Sequence, residues 1–305
     1  MYASRVTTEK KQDGFLTRKK PKRWRRGMVS LDESLLANRP GVHQVNAPLV
    51  KALAIPLAAP TMVAAPVGGK PLIDRLDPHD VIQARITDSA LAAILMGFAQ
   101  MRPAGVKKVA LTRAPSLDVV VRLYHDSGAG VLYPAWFLAR THREAQAEIG
   151  AAVEATAEEE GYSEQKTLGT LFCQYVQRAL GMSLKVISSK GVSGRLAAVT
   201  RCITGRNLAQ IDISDKDRCW ETVLTAVCER KPVFAGAKET NPSHAKRRRF
   251  APNSPLVVLE AFELRGERFV CVFDPEGAAD GIAPAPRDVA FDDFMVELQG
   301  IYVVA

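Results

Sequence analysis

The sequence lacks the patterns that mark several large classes of protein. It has no run of about 18 apolar residues, so no membrane-spanning helix is expected, and the charged N-terminus is followed by no apolar signal-peptide core. Its five cysteines are unclustered, with no CxxC and no Cys/His spacing typical of a metal site. No glycine-rich phosphate loop and no acidic calcium loop is present. We therefore predict no metal and no cofactor. We expect the thiols to be reduced, and the protein to be located in the cytoplasm or in a virion or similar assembly.

The net positive charge lies at one end of the chain. The formal charge is +8, from 41 Lys and Arg against 33 Asp and Glu. Residues 1–30 hold ten of those bases and only two acids, which accounts for the whole excess, while the rest holds 31 of each. The high isoelectric point therefore comes from the N-terminal segment, and the rest of the chain is formally neutral. This argues against nucleic-acid binding by the rest of the chain through its overall charge.

Composition and proline usage divide the chain in two. Residues 1–71 are predicted to form an extended, basic, Pro-rich arm, because prolines recur too often there for long helices. Residues 72–305 have ordinary globular composition and are predicted to fold as one domain.

Two basic clusters could contact phosphates, anionic lipid or an acidic protein, with Trp24 stacking on a base or anchoring the arm in an apolar pocket. A solvated tail or loop is the alternative. The first cluster comprises Lys19, Lys20, Lys22, Arg23, Trp24, Arg25 and Arg26, and the second Lys246, Arg247, Arg248 and Arg249.

Hydrophobic periodicity predicts helices first and an antiparallel sheet later, which is an α+β pattern. Helices are predicted over 88–101, 141–160, 167–180, 195–203, 217–231 and 291–298. Strands are predicted over 106–112, 117–124, 231–237, 256–263, 267–273 and 301–304.

Four segments, taken in order, resemble the calpain-type cysteine protease family. The first segment is Asp-Val-Ile-Gln-Ala followed by Thr-Asp-Ser and an apolar helix, and the second is the helix over 167–180. The third runs from Cys219-Trp-Glu-Thr to Val-Phe-Ala-Gly-Ala. The fourth is Asn-Ser-Pro-Leu-Val-Val followed by Val-Phe-Asp-Pro-Glu-Gly. The family has Gly-Asp-Cys in the first segment, and a His-Ala-Tyr strand and an Asn-Pro-Trp-Gly turn in the last. The likeness spans roughly residues 72–303 by order and spacing.

The resemblance implies a papain-like fold, with a helical half packed on an antiparallel sheet half. In that fold a nucleophilic cysteine begins a central helix, and a histidine and an asparagine come from the facing sheet. The helix N-terminus and an imidazolium lower the thiol pKa, and a glutamine side chain helps hold the oxyanion.

This sequence differs from the family at the catalytic positions. Ser89 stands at the nucleophile position, and Ser254, or Asn253 if the alignment moves by one, stands at the histidine position. Asp274 stands at the asparagine position.

Around those positions the match is also incomplete. Glu276 replaces the family's tryptophan, and Gln83 matches the oxyanion glutamine although Ala84 replaces the glycine after it. A serine without a nearby base is a poor nucleophile, and a helix cap or first-turn residue is the simpler interpretation of Ser89.

These observations leave three hypotheses. The first is a catalytically degenerate calpain-like domain, a pseudoenzyme that acts as a structural or interaction subunit of a larger assembly such as a virion, a tail or a secretion machine. The second is an active peptidase or hydrolase with a rearranged site, using Ser89, Asp274 and either His244 or His79. The third is binding to nucleic acid or an anionic surface through the arm.

Overall fold

The computed structural model describes residues 61–84, 86–126, 131–156, 164–181, 191–239, 249–277 and 285–305. Within these ranges the chain forms an α+β architecture with seven α-helices, one short 3-10 turn and two antiparallel sheets. The first basic cluster, His43, His244 and residues 246–248 of the second basic cluster lie outside the described residues.

Three of the seven helices lie in sequence between the strands of the first group and those of the second, and the other four lie among the strands. Their bounds are α1 (Pro78–Gln83), α2 (Ser89–Met101), α3 (His142–Thr156), α4 (Glu164–Leu180), α5 (Val192–Thr204), α6 (Lys216–Cys228) and α7 (Phe291–Glu297).

The strands form two sheets in which every neighbouring pair is antiparallel. The first sheet has the order β1-β5-β4-β3-β2, and the second β10-β9-β8-β7-β11-β6. The strand bounds are β1 (Thr61–Val63), β2 (Lys70–Pro71), β3 (Ala110–Arg113), β4 (Asp118–Asp126), β5 (Leu132–Arg140), β6 (Leu208–Ile211), β7 (Val233–Ala237), β8 (Pro255–Leu264), β9 (Glu267–Phe273), β10 (Pro286–Ala290) and β11 (Leu298–Val304).

The second sheet separates two hydrophobic cores. One face carries Phe234, Val257 and Phe273 and packs with α2, α5 and the first sheet. Alternate residues such as Val258 and Val272 face the other way, toward the aromatic side chains of α6 and α7. This alternation follows from the two-residue period of a strand. Helix α2 packs on β7 and β8, and α5 contacts both β4 of the first sheet and β7 of the second.

Helix α2 approaches strand β7 closely because of one glycine. A Cβ added at Gly97 would lie 2.8 Å from the ring of Phe234 and 3.3 Å from Pro232. The helix is buried on nearly all sides, from Ser89 to Met101. Its C-terminal part therefore lies beside the start of β7, and its N-terminus points toward the other end of that strand.

Several predicted elements are confirmed. Helix α2 has the predicted extent with Asp88 as its N-cap, and β9 has the predicted bounds. The first half differs from the expected helical half, because it contains a five-stranded sheet. Strand β5 was not predicted, since Pro134 interrupts it and its buried residues begin only at Ala135.

The described chain enters the first sheet before residue 72. Strand β1 pairs with β5, with Thr61 opposite Leu138, and β2 pairs with β3, with Lys70 opposite Thr112. Residues 61–63 and 70–71, which the sequence assigned to the arm, are thus hydrogen-bonded to the folded body.

Candidate functional site

Ser89 is the first residue of the central helix α2. The side chain of Asp88 caps the helix, with its Oδ1 accepting from the amide of Leu91 at 2.7 Å. Ser89 itself is only 7% exposed. Its hydroxyl therefore lies at the positive end of a helix of 13 residues, where a negative charge on it would be stabilised.

An arginine from α5 contacts this hydroxyl. Nη2 of Arg195 donates to Ser89 Oγ at 3.2 Å and lies 3.6 Å from Oδ2 of Asp88. A guanidinium keeps its proton in proteins and has no acceptor, so Arg195 can stabilise an anion but cannot remove the serine proton. Within the described part of the chain, Arg195 is the hydrogen-bond partner of the Ser89 hydroxyl, and no imidazole takes that place.

The positions matching the family's histidine and asparagine are paired with each other. Ser254 precedes β8 and Asp274 follows β9, and Ser254 Oγ donates to Asp274 Oδ1 at 2.5 Å. Asp274 also accepts from the amides of Ala251 at 3.2 Å and Glu276 at 3.0 Å. Both Ser254 and Asp274 are 0% exposed.

Burial governs the titration of this pair. Desolvation raises the pKa of Asp274 above its ordinary value, and the bonds from Ser254, Ala251 and Glu276 offset only part of that effect. A fully buried hydroxyl and carboxyl cannot reach a bound peptide, so the pair can brace the β8 and β9 ends but cannot exchange protons with a substrate.

Asn253 and Ser254, the two candidates that the sequence offers for the histidine position, differ in their surroundings. Asn253 is exposed and has a positive φ of 54°, whereas Ser254 points inward to Asp274. Glu276, at the tryptophan position, is exposed and supplies only its amide.

Ser89 and Ser254 lie at the same end of the second sheet. The carbonyl of Ser254 accepts from the amide of Ala237, the last residue of β7, at 3.0 Å. The neighbouring Gly236 lies against Val192, the first residue of α5, since an added Cβ would be 2.6 Å from Val192 Cγ1. One helical turn further along α5 is Arg195, which bonds Ser89. Ser89, Ser254 and Asp274, which the resemblance singled out, therefore lie where α2, α5 and β8 begin and β7 and β9 end.

The loop between α1 and α2 is held by helix α4. Gln83 is the last residue of α1, and its side chain lies outside the described residues. Oε1 of Gln177 accepts from the amide of Thr87 at 2.7 Å, and Gln174 donates to the carbonyl of Ala84. These bonds fix the approach to Asp88 and Ser89.

The described histidines lie elsewhere. His79 is the second residue of α1, and its amide donates to Asp77. His125 is within β4 with its ring 5.3 Å from that of Phe137, and His142 begins α3.

The cysteines do not provide a substitute nucleophile in the described residues. Burial raises the pKa of Cys173 well above its usual value, raises that of Cys202, and raises that of Cys219 to about 11. Cys271 is buried in β9, and Cys228 is exposed at the end of α6. A thiol with a raised pKa is almost wholly protonated at neutral pH and reacts slowly.

Arg249, the described member of the second basic cluster, is bound within the chain. Its guanidinium bonds Asp293 at 2.6 Å and Glu297 at 3.1 Å, and its amide donates to Glu297 at 2.9 Å. Because these contacts occupy its guanidinium, Arg249 is not freely available to bind an anionic partner.

The described residues contain neither a metal-binding cluster nor a membrane-spanning helix. No group of three or more His, Cys, Asp or Glu side chains there is arranged to hold a metal ion. Among the helices described, none is both long and apolar enough to span a bilayer.

Comparison with known proteins leaves the family open. No family model and no curated protein matches the sequence. Among solved structures, the proteasome accessory factor B/C (PafBC) of Arthrobacter aurescens aligns with 10% identity and a TM-score of 0.17. The alignment covers 86% of this chain and 38% of that one, so the chain spans well under half of that protein. A TM-score this low carries no argument about fold or function.

Arg195 is the residue of the site that the sequence did not indicate. It lies 106 positions after Ser89, on a helix whose local pattern marks only its apolar face. Asp88 carried a local signal, because an aspartate directly before an apolar helix is a typical N-cap.

Proposed function

We propose that the chain is a catalytically degenerate calpain-like domain of papain type, which acts as a structural or interaction subunit of a larger assembly. One observation carries the proposal. The three residues aligned with the family's nucleophile, histidine and asparagine lie at the start of a buried central helix and at the ends of two neighbouring strands, and two of them are hydrogen-bonded to each other.

The chemistry at these positions favours a lost activity. Peptide cleavage of this type needs a base that takes the proton of the nucleophile and returns it to the leaving amine. Ser89 instead meets a guanidinium that cannot accept a proton, and the buried Ser254–Asp274 pair replaces the imidazole and its orienting amide. The fold keeps its core while the site lacks its base, which is consistent with fold and function being separable.

The test of lost activity is cleavage of a mixed peptide library, read by mass spectrometry. We expect the full chain to give no cleavage above a Ser89→Ala variant, because no described residue can act as base toward Ser89. Cleavage by the full chain that disappears in Ser89→Ala would contradict the proposal. If His244→Ala also removed it, the rearranged hydrolase would be the correct alternative.

The proposed partner contact is assigned to the arm on the basis of charge. Residues 1–30 carry the whole net charge, and they include Lys19–Arg26 with Trp24. An acidic partner protein or another anionic surface would suit this segment. Deleting residues 1–30 should remove salt-dependent association while leaving the melting temperature of the body unchanged. Association that persists without these residues would exclude the arm as the attachment.

A further inference from the structure

A cavity lies at the opposite end of α2 from Ser89. It has a volume of about 270 Å³. Phe98 and Arg102 line it from the end of α2, which is about 20 Å from the helix start at 1.5 Å per residue. Val109 and Ile203 add apolar wall from the first sheet's side and from α5. Nothing in the proposed pseudoenzyme role uses this cavity.

The charged side chains that line the cavity are all basic. They are Arg102, Arg122, Arg206 and Lys231, and no aspartate or glutamate side chain contributes to the wall. Only Lys231 has a carboxylate side chain as partner among the described residues, in its ion pair with Glu229 at 2.7 Å.

The three arginines are incompletely satisfied by the described chain. Arg102 donates only its Nε, to the carbonyl of Arg230 at 3.1 Å, and Arg206 reaches an oxygen of Ala305 at 3.4 Å. Arg122 stacks over the ring of Tyr124 at 5.2 Å, and its Nε is buried without a hydrogen-bond partner in the part described. A buried donor of this kind loses its hydration without compensation unless a ligand supplies an acceptor.

The C-terminal ends of two helices offset part of this positive charge. Helices α2 and α5 both end at this cavity, and their two C-termini together supply about one negative charge. The carboxyl group of Ala305, which Arg206 contacts, adds one more, so three guanidinium groups and Lys231 still leave the cavity positive. Arg122 lies on β4, away from either helix end, and is the group least served by these dipoles.

We propose that this cavity binds a small organic anion, with a phosphate or carboxylate group on Arg102 and Arg122 and a short apolar body against Phe98 and Ile203. Guanidinium groups suit both kinds of anion, because their paired N–H donors match two oxygens at once. The volume restricts the ligand to a small molecule, since it is at the low end of the range for ligand pockets. The proposal does not depend on the proposed function.

Calorimetric titration of the full chain tests this proposal with three ligands at one ionic strength: phenyl phosphate, benzoate and inorganic phosphate. We expect one saturable site per chain for at least one of the two aromatic anions, and weaker binding of inorganic phosphate because it lacks the apolar body. Binding of phenyl phosphate alone would assign phosphate esters, and binding of benzoate alone would assign carboxylates.

Matched variants keep the test specific. Arg122→Gln and Arg102→Gln should each weaken binding by roughly tenfold or more, the usual effect of losing a charge-assisted hydrogen bond. Arg102 and Arg143 are both exposed, so Arg102→Gln should fold, and Arg143→Gln on α3, outside the cavity, should leave affinity unchanged. No saturable binding at millimolar concentrations, or equal affinity in Arg122→Gln and Arg143→Gln, would overturn the proposal.

Discussion

Replacing Asp274 by alanine should lower the free energy of unfolding by about 3 to 5 kcal/mol. The Asp274 side chain is fully buried and accepts from Ser254 Oγ and from the amides of Ala251 and Glu276. Alanine would leave the buried Ser254 hydroxyl and two part-buried amides without their acceptor, and each such donor costs about 1 to 3 kcal/mol, least for the part-buried ones. Urea unfolding followed by circular dichroism measures the loss.

Two comparisons separate this effect from a general loss of charge. Ser254→Ala removes a single donor and should cost only about 1 kcal/mol. Asp74→Ala removes a carboxylate that is 76% exposed and paired with Lys107 at the surface, so it should change stability by less than about 1 kcal/mol. Similar losses in Asp274→Ala and Asp74→Ala would mean that the Ser254–Asp274 pair does not brace the strand ends.

The carboxyl group of Asp274 should also make the free energy of unfolding depend on pH. Because desolvation raises the folded-state pKa of Asp274, its stabilising contribution is largest at low pH, where the group is protonated in both folded and unfolded states. That contribution is lost as pH rises from the ordinary carboxyl range through the raised pKa. Relative to Asp274→Asn, the parent protein should therefore gain stability between neutral pH and about pH 4. A relative loss on acidification would show that the hydrogen bonds outweigh burial.

Replacing Glu148 by alanine should cost a similar amount, about 3 to 5 kcal/mol, at a place remote in sequence from the aligned site residues. Glu148 and Arg140 are each 5% exposed and form an ion pair, with Arg140 Nε donating to Glu148 Oε1. The Tyr175 hydroxyl donates to the other oxygen at 2.8 Å, and burial followed by the nearby Glu148 charge raises the pKa of Tyr175 well above its usual range. Alanine leaves the guanidinium buried and unpaired.

Removing the whole buried network should cost less than removing one member. An Arg140→Met, Glu148→Leu, Tyr175→Phe triple variant replaces every polar group of the network by an apolar one of similar size, and such exchanges are often neutral or stabilising. Urea midpoints of the triple variant should therefore lie above that of Glu148→Ala. If the triple variant is less stable than Glu148→Ala, the attraction within the network itself stabilises the folded state. The loss in Glu148→Ala would then not come from an unpaired buried charge.

The sequence predicted elements with strong local signals. Helix α2 was placed correctly because Asp88 caps a run of apolar residues that Pro103 ends. Strand β9 was placed correctly because its continuous apolar run follows the Arg265-Gly266 turn closely. The turn itself is fixed by positive φ angles of 55° and 79° at these two residues, a pairing that favours a tight hairpin.

Other elements carried no such signal. Strands β6 and β10 are short edge strands with few buried residues, and β5 begins with Tyr133 and Pro134 exposed. In the first sheet, β3 and β4 overlap strands predicted from the sequence, whereas β5 was missed because its first residues show no clear alternation. Ser254 and Asp274 were picked out only through the family resemblance, and Arg195 reaches Ser89 by tertiary packing that no local pattern encodes.

We propose that the start of α2 has the electrostatics of a thiolate site without a base beside it in the described residues. This central claim is tested most directly by the pH dependence of iodoacetamide labelling of a Ser89→Cys variant, followed peptide by peptide because the chain has five other cysteines. We predict a labelling midpoint below the ordinary thiol pKa of about 8.5, because the helix N-terminus and Arg195 stabilise the thiolate. Adding Arg195→Gln should raise that midpoint, and neither variant should cleave peptides. A labelling midpoint of the introduced thiol at or above about 8.5, unaffected by Arg195→Gln, would contradict this account of the site.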